Sequence, residues 1–188
     1  MIPQKAKLFV FSAPSGSGKT TIIKHVLNTF PNFSFSISAT TRKKRDAEKD
    51  GIDYYFITEK DFLKKIENNN FLEWEKFYGY YYGTLKNIVF EKIKKGNSVI
   101  VDVDVKGAIN IKKIYNDAVL IFISPPSIEE LKKRLSNRKT ESDADFSKRI
   151  ERAEMELSYR KNFDYNVCNN FLDDAKREVE EIIKRELE

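Results

Sequence analysis

Ala13-Pro14-Ser15-Gly16-Ser17-Gly18-Lys19-Thr20 follows the apolar run Leu8-Phe9-Val10-Phe11 and leads into a helical pattern at Ile22, Ile23, Val26 and Leu27. A strand, a glycine-containing turn and a helix, in that order, are the context of a phosphate-binding P-loop. Small residues let backbone N–H groups curl round a phosphate, and the helix N-terminus adds the positive end of its dipole. Lys19 is then spaced to reach the outer phosphates of a nucleoside triphosphate, and the Thr20 hydroxyl to reach the Mg²⁺ that bridges them. Ala13 stands where the usual pattern opens with glycine, a small-for-small exchange.

Working outward, residues 6–11 read as a buried strand, 19–29 as a helix ended by Pro31, and Phe33 to Ile37 as a second, alternating strand. Ser98 to Asp104 is another buried strand that ends in two acids, and 118–123 is a further apolar strand stopped by Pro125-Pro126. Helices are expected over 85–95, near 107–115, from Ser127, over about 145–161 and from Asp173 to the C-terminus, with a short run Tyr165 to Cys168 between the last two. Apolar strands alternating with helices predict an α/β fold: a parallel sheet covered by helices on both faces, with ligands at the carboxyl ends of its strands. The P-loop and the Asp102/Asp104 pair both fall at such ends, so they can share one site.

Two segments lie outside this alternation. The stretch Thr40 to Asp53 is too charged to be core, whereas Phe71 to Thr84 is aromatic, β-favouring and turned at glycines, which predicts a small sheet apart from the main one. Between them, Tyr54 to Phe56 reads as a short strand, and Thr58 as the cap of a helix with Phe62, Leu63 and Ile66 on one face. The polar run Asn137 to Asp145, flanked by Arg134, Arg138 and Arg149, reads as a mobile flap.

Composition narrows the function classes. The 188 residues suit one domain, and 40% hydrophobic with 34% charged residues describes a globular chain. No apolar run nears membrane-span length and the N-terminus lacks a signal-peptide layout, so a cytoplasmic protein without a membrane partner is expected. Cys168 is the only cysteine and His25 the only histidine, which excludes an internal disulfide and argues against a zinc site or a Ser-His nucleophile. His25 is expected to be a plain surface or packing residue. The net charge of +5 comes from lysines interleaved with glutamates along helices, the pattern of solvated faces, so no nucleic-acid partner is expected.

The P-loop leaves the phosphoryl acceptor open. Asp102 is placed either to hold Mg²⁺ or its waters, or to cap the next helix. Arg42 and Arg45, beside Tyr54, Tyr81 and Tyr82, are either a phosphate-binding group of forks and hydroxyls or surface residues and packing aromatics. Periodicity assigns no joint role to Ser38, Glu73, Thr84 and Asp104.

Seven stretches join these groups: Ser12 to Thr20, Ser36-Ile37-Ser38-Ala39-Thr40-Thr41-Arg42, Gly51 to Phe56, Phe71-Leu72-Glu73-Trp74, Tyr81-Tyr82-Gly83-Thr84, Val101 to Asp104, and Pro125-Pro126-Ser127. Over nearly its whole length the chain resembles the guanylate kinase family. The resemblance implies a P-loop NTPase fold made as a single domain, 1–188. Its parallel core would span about 1–33, 85–126 and 160–188, with a small mixed β subdomain for GMP at about 34–84 and a helical lid at about 127–159. It implies Mg²⁺-dependent transfer of the terminal phosphoryl group of ATP to GMP or dGMP, giving ADP and GDP.

Carried over by position, the resemblance puts Ala13, Pro14, Ser15, Gly16, Ser17, Gly18, Lys19, Thr20 and Thr21 on ATP, with Arg134, Arg138 and Asn169. Arg42, Arg45, Tyr54 and Tyr82 fall on the GMP phosphate, with Glu48 in the same loop. Ser38, Glu73, Thr84 and Asp104 surround guanine, and Asp102 lies near GMP and, with Thr20, near the metal. Lys19, Arg42, Arg134, Arg138 and Arg149 would neutralise the moving phosphoryl group, and no general base is implied because the GMP phosphate is already anionic. Guanine's N1–H and N2 amine are adjacent donors that one carboxylate accepts as a pair, which makes Glu73 the discriminator against adenine.

The chain departs from the family pattern in three places. Lys43-Lys44-Arg45-Asp46-Ala47 lacks two prolines and a glycine usual there, which predicts a more flexible empty loop and a weaker hold on GMP. Asn137-Arg138-Lys139 replaces a usual Gly-Arg-Gly, and Cys168-Asn169-Asn170 a usual Val-Asn-Asp, with the amide of Asn169 kept. Two rival readings are a catalytically inactive guanylate-kinase-like binding module and a related P-loop kinase for another phosphorylated acceptor. The sequence does not specify a monomer or a homo-oligomer.

Overall fold

The computed structural model describes residues 6–136 and 143–188. Five parallel strands form the main sheet: β1 (Leu8–Ser12), β2 (Phe33–Phe35), β7 (Ser98–Asp102), β8 (Val119–Ser124) and β9 (Tyr165–Cys168), in the order β2-β7-β1-β8-β9. The all-buried pattern of β1 and β8 follows from helices on both faces. On one face Phe9 and Phe11 pack against α1 (Lys19–Thr29) and α7 (Leu172–Leu187). On the other, Leu8 and Val10 pack against α3 (Lys86–Lys94) and α4 (Val105–Ile114). α7 presents Ala175, Val179, Ile182 and Ile183, one apolar stripe at helical spacing.

A second, mixed sheet carries β3 (Ala39–Thr40), β4 (Tyr55–Phe56), β5 (Phe71–Phe77) and β6 (Tyr80–Leu85) in the order β4-β3-β6-β5. Its own core gathers Ala39, Phe71 and Leu85 round Phe62 of α2 (Glu59–Glu67). Thr58 caps α2 by accepting the Asp61 N–H at 3.1 Å. Leu63, expected beside Phe62 on the buried face, is 40% exposed, because the short helix offers only Phe62 fully to the sheet. The small sheet therefore lies apart from the main one, as its aromatic and glycine content predicts.

Differences from the expected boundaries are local. β2 ends at Phe35, where its pairing with β7 ends. β7 stops at Asp102, and Asp104 has left the sheet to cap α4, accepting the Gly107 N–H at 2.7 Å. α5 (Ile128–Ser136) precedes α6 (Asp143–Ser158), and Leu131, Leu135, Ile150 and Ala153 pack between them. The expected flap falls mostly on residues 137–142, outside the described residues, and Asp143 is already helical. No helix among the described residues is long and apolar enough to cross a membrane.

Leu120 sits fully buried in β8, between β1 and β9 in the main sheet. Leu120→Ala is expected to lower unfolding free energy in urea by about 3 kcal/mol, and a loss below about 1 kcal/mol would contradict this packing.

Candidate active site

The parallel register of β1 and β7 sets Phe11 opposite Asp102. The turn leaving β1 and the acid ending β7 thus emerge side by side, above a cleft of about 890 Å³. Lys19, first residue of α1, forms an ion pair with Asp102 across that gap. Thr20 and Thr21 follow in the exposed first turn, where the Thr21 N–H donates to the Gly18 carbonyl at 3.1 Å.

The turn is braced from below. Gly18 has φ 89°, the left-handed region, and a Cβ there would run into the Asn169 amide. That amide donates to the Ser17 carbonyl at 2.8 Å, so Asn169 is buried as a strut beneath the P-loop. Arg134 of α5 donates to the Asn169 carbonyl at 3.2 Å and to Glu130 at 3.1 Å. Arg149 lines the cleft from α6, and Arg138 lies outside the described residues.

The opposite end of the cleft is acidic. Glu73 on β5 stands across from Thr84 on β6, whose hydroxyl donates to Glu73 Oε1 at 2.7 Å. Burial pushes the Glu73 carboxyl up from its ordinary 4.5 to about 7, with the Asp104 and Glu75 carboxylates adding to the rise against the Thr84 hydrogen bond. Gly107 makes room for this pair. A Cβ at Gly107 would stand 3.1 Å from Glu73 Oε2 and 3.1 Å from Asp104 Oδ1.

The charged loop from Thr41 to Tyr54 meets the cleft through Tyr54, while Arg42, Arg45 and Glu48 do not line it. Arg42 forks onto Glu48, with Nη2 at 2.7 Å from Oε1 and Nη1 at 3.0 Å from Oε2, and its guanidinium lies over the Tyr54 ring at 5.5 Å. The fork, with the Arg45 N–H donating at 2.8 Å, holds the Glu48 carboxyl down at about 2. The Arg45 side chain is exposed, while Ser38, Tyr54 and Tyr82 face the cleft. Asp53 accepts the Lys49 N–H at 2.7 Å and Asp50 the Phe56 N–H at 2.9 Å. Carboxylates thus tie the loop to its own backbone N–H groups. His25, outside the cleft lining, bonds Glu180 at 2.6 Å, a packing role.

The guanylate kinase family model matches residues 5–186. The chain belongs to the guanylate kinase family. The guanylate kinase of Thermotoga maritima is 47% identical over 182 residues, covering 97% of this chain and 88% of its own length. That of Bacteroides thetaiotaomicron is 49% identical over 180 residues, covering 95% and 88%. The crystal structure of guanylate kinase from Anaplasma phagocytophilum superposes with a TM-score of 0.78 at 29% identity, covering all of this chain and 89% of that one.

Within this guanylate kinase site the structure adds residues that sequence reasoning missed: Gly107, Glu75, Phe77, Arg152 and Glu156, of which all but Gly107 line the cleft. Charged side chains on an amphipathic helix read as a solvated face, so nothing marked Arg152 or Glu156. The alternation Glu73, Glu75, Phe77 on β5 was the one available signal, since every second residue of a strand shares a face.

Glu73 binds its proton more tightly folded, near 7, than unfolded, near 4.5. Folding takes up a proton in that window, so the Glu73 contribution to stability is full below pH 4.5 and is lost as pH rises through 7. Between pH 4.5 and 8 the stability of Glu73→Gln relative to wild type should rise by about 3 kcal/mol at 1.36 kcal/mol per unit. Thermal melts of both proteins at the two pH values check this, and a constant difference contradicts a raised Glu73.

Proposed function

We propose that this chain transfers the terminal phosphoryl group of ATP to GMP, giving ADP and GDP. The observation that carries the reading is Glu73, a part-buried carboxylate bonded to Thr84, across one cleft from a P-loop with Lys19. A carboxylate buried without a full complement of donors is costly. Guanine supplies the missing donors, N1–H and the N2 amine, whereas adenine presents an acceptor at N1. Asp104 lies alongside for the N2 amine, and the Ser38 and Thr84 hydroxyls can donate to O6 and N7.

In the proposed reaction an oxygen of the GMP phosphate attacks the γ-phosphorus, the bond to the β,γ-bridging oxygen breaks, and ADP leaves with that electron pair. The attacking oxygen is already anionic, so no base is needed. Arg42, Arg45, Tyr54 and Tyr82 hold the acceptor phosphate. Burial pushes the Tyr54 hydroxyl up, which keeps it a neutral donor. Glu48 acts through Arg42: its two oxygens hold the fork in place when the phosphate is absent. Residues 13–21 cradle ATP together with Arg134, Arg138 and Asn169, and Lys19, Arg134, Arg138 and Arg149 neutralise charge on the moving group.

Thr20 and Asp102 would hold Mg²⁺. No group of three or more His, Cys, Asp or Glu among the described residues can hold a metal. A hydroxyl and one carboxylate nevertheless suit Mg²⁺, which takes its remaining ligands from water and phosphate oxygens. Bound with ATP, Mg²⁺ would supply positive charge beside the transferring phosphates. Lys19 pairs with Asp102 in the ligand-free site and would turn to the triphosphate when ATP binds.

The reading includes a parallel core at about 1–33, 85–126 and 160–188, a GMP subdomain at about 34–84 and a lid at about 127–159. It includes a cytoplasmic enzyme whose partners are its two nucleotides.

ADP formation with ATP and Mg²⁺ across GMP, AMP, CMP and UMP tests it. GMP alone should be turned over, Lys19→Met should lower kcat at least about 10²-fold, and Glu73→Gln should lower kcat/KM for GMP on the order of 10³-fold. Comparable turnover of AMP overturns the acceptor assignment. GMP binding without turnover favours the inactive binding module.

A further inference from the structure

Arg152 of α6 stands where three parts of the molecule meet. Its guanidinium lies over the Phe77 ring of β5 at 4.7 Å. Its Nε donates to Glu156 at 2.9 Å, one helical turn on, and its Nη2 lies 4.0 Å from the Asp104 carboxylate that caps α4. Glu73, Glu75 and Phe77 share one face of β5, and all line the cleft with Arg152. Three carboxylates, Glu75, Asp104 and Glu156, thus act on one guanidinium.

The cross-strand register gives Glu75 its importance. Glu73 stands opposite Thr84, in the proposed guanine site, and Glu75 stands opposite Tyr82, in the proposed phosphate site. A carboxylate at that position repels an incoming phosphate unless a cation holds it. Burial and the Asp104 carboxylate push the Glu75 carboxyl up, while Arg152 pulls the other way.

We propose that Arg152 is a positioning residue of the acceptor site: it draws Glu75 and Asp104 together on the α6 side of the cleft, keeping the Glu75 charge off the GMP phosphate. Phe77 fixes the plane of the guanidinium by stacking and Glu156 fixes its rotamer. Arginine suits the task because it offers several donors in one plane while stacking on a ring, which lysine cannot do. The inference rests on GMP as the acceptor. It assigns α6 an acceptor-side role besides the donor-side role of Arg149, so one helix serves both nucleotides.

Calorimetric titration of GMP, with steady-state KM for GMP and for ATP, tests the proposal on wild type, Arg152→Ala, Arg152→Lys and Glu75→Gln/Arg152→Ala. Arg152→Ala should weaken GMP binding and raise its KM about tenfold, the scale of one uncompensated like charge. Its KM for ATP should stay within about twofold. Arg152→Lys should recover only part of the loss. Removing the Glu75 charge in the double variant should recover most of it, a rescue that a merely structural arginine does not give. Equal losses for both nucleotides, no rescue by Glu75→Gln, or unchanged GMP binding in a folded Arg152→Ala protein each overturn it. If wild type itself neither binds nor phosphorylates GMP, the acceptor assignment fails instead, so the two failures are distinguishable.

Discussion

The parallel pairing of β1 with β7, Phe11 opposite Asp102, is the constraint on which the site depends. It brings the start of the P-loop and the end of β7 to one sheet edge, where Lys19 and Asp102 meet although 83 residues separate them. The pairing is held by side chains that alternate between two helical layers, Phe9 and Phe11 to one side, Leu8 and Val10 to the other. A one-residue slip of β1 would exchange those layers and move the turn away from Asp102. Packing in the sheet and geometry in the cleft are therefore the same requirement.

Around that edge the cleft is electrostatically divided. The P-loop end concentrates positive charge and backbone donors, and the β5 end concentrates carboxylates in a poorly solvated pocket. Glu73 illustrates the cost of such a division. Its raised pKa means that the ionised form is strained at neutral pH until two donors reach it. In the proposed site that unfavourable folded state would favour a purine with adjacent N–H donors. Gly107 contributes by being absent, since any side chain there would crowd both Glu73 and Asp104.

Much of this was legible in the residues. The eight-residue turn was legible as the link from β1 to α1, and alternating apolar runs named the parallel sheet, because both signals are local. The end of β7 was not legible: Val103 is apolar and continues the run, yet Asp104 turns out to cap α4 through Gly107. The Arg42–Glu48 fork was equally hidden, since a charged loop shows no periodicity from which to pair its ions. Arg152 and Glu156 were hidden by their neighbourhood on an amphipathic helix, where most charges face water. Only the topology, which lays α6 against the tip of β5, turns that particular pair inward.

In the proposed acceptor site, ionised Glu73 accepts the guanine donors. Calorimetry of GMP binding at pH 6.5, run in buffers of different ionisation enthalpy, measures the protons exchanged on binding. Free Glu73 is largely protonated at that pH and must ionise to bind, so wild type should release more protons per GMP than Glu73→Gln, whose only source is the phosphate itself. Equal release from the two proteins would contradict the claim.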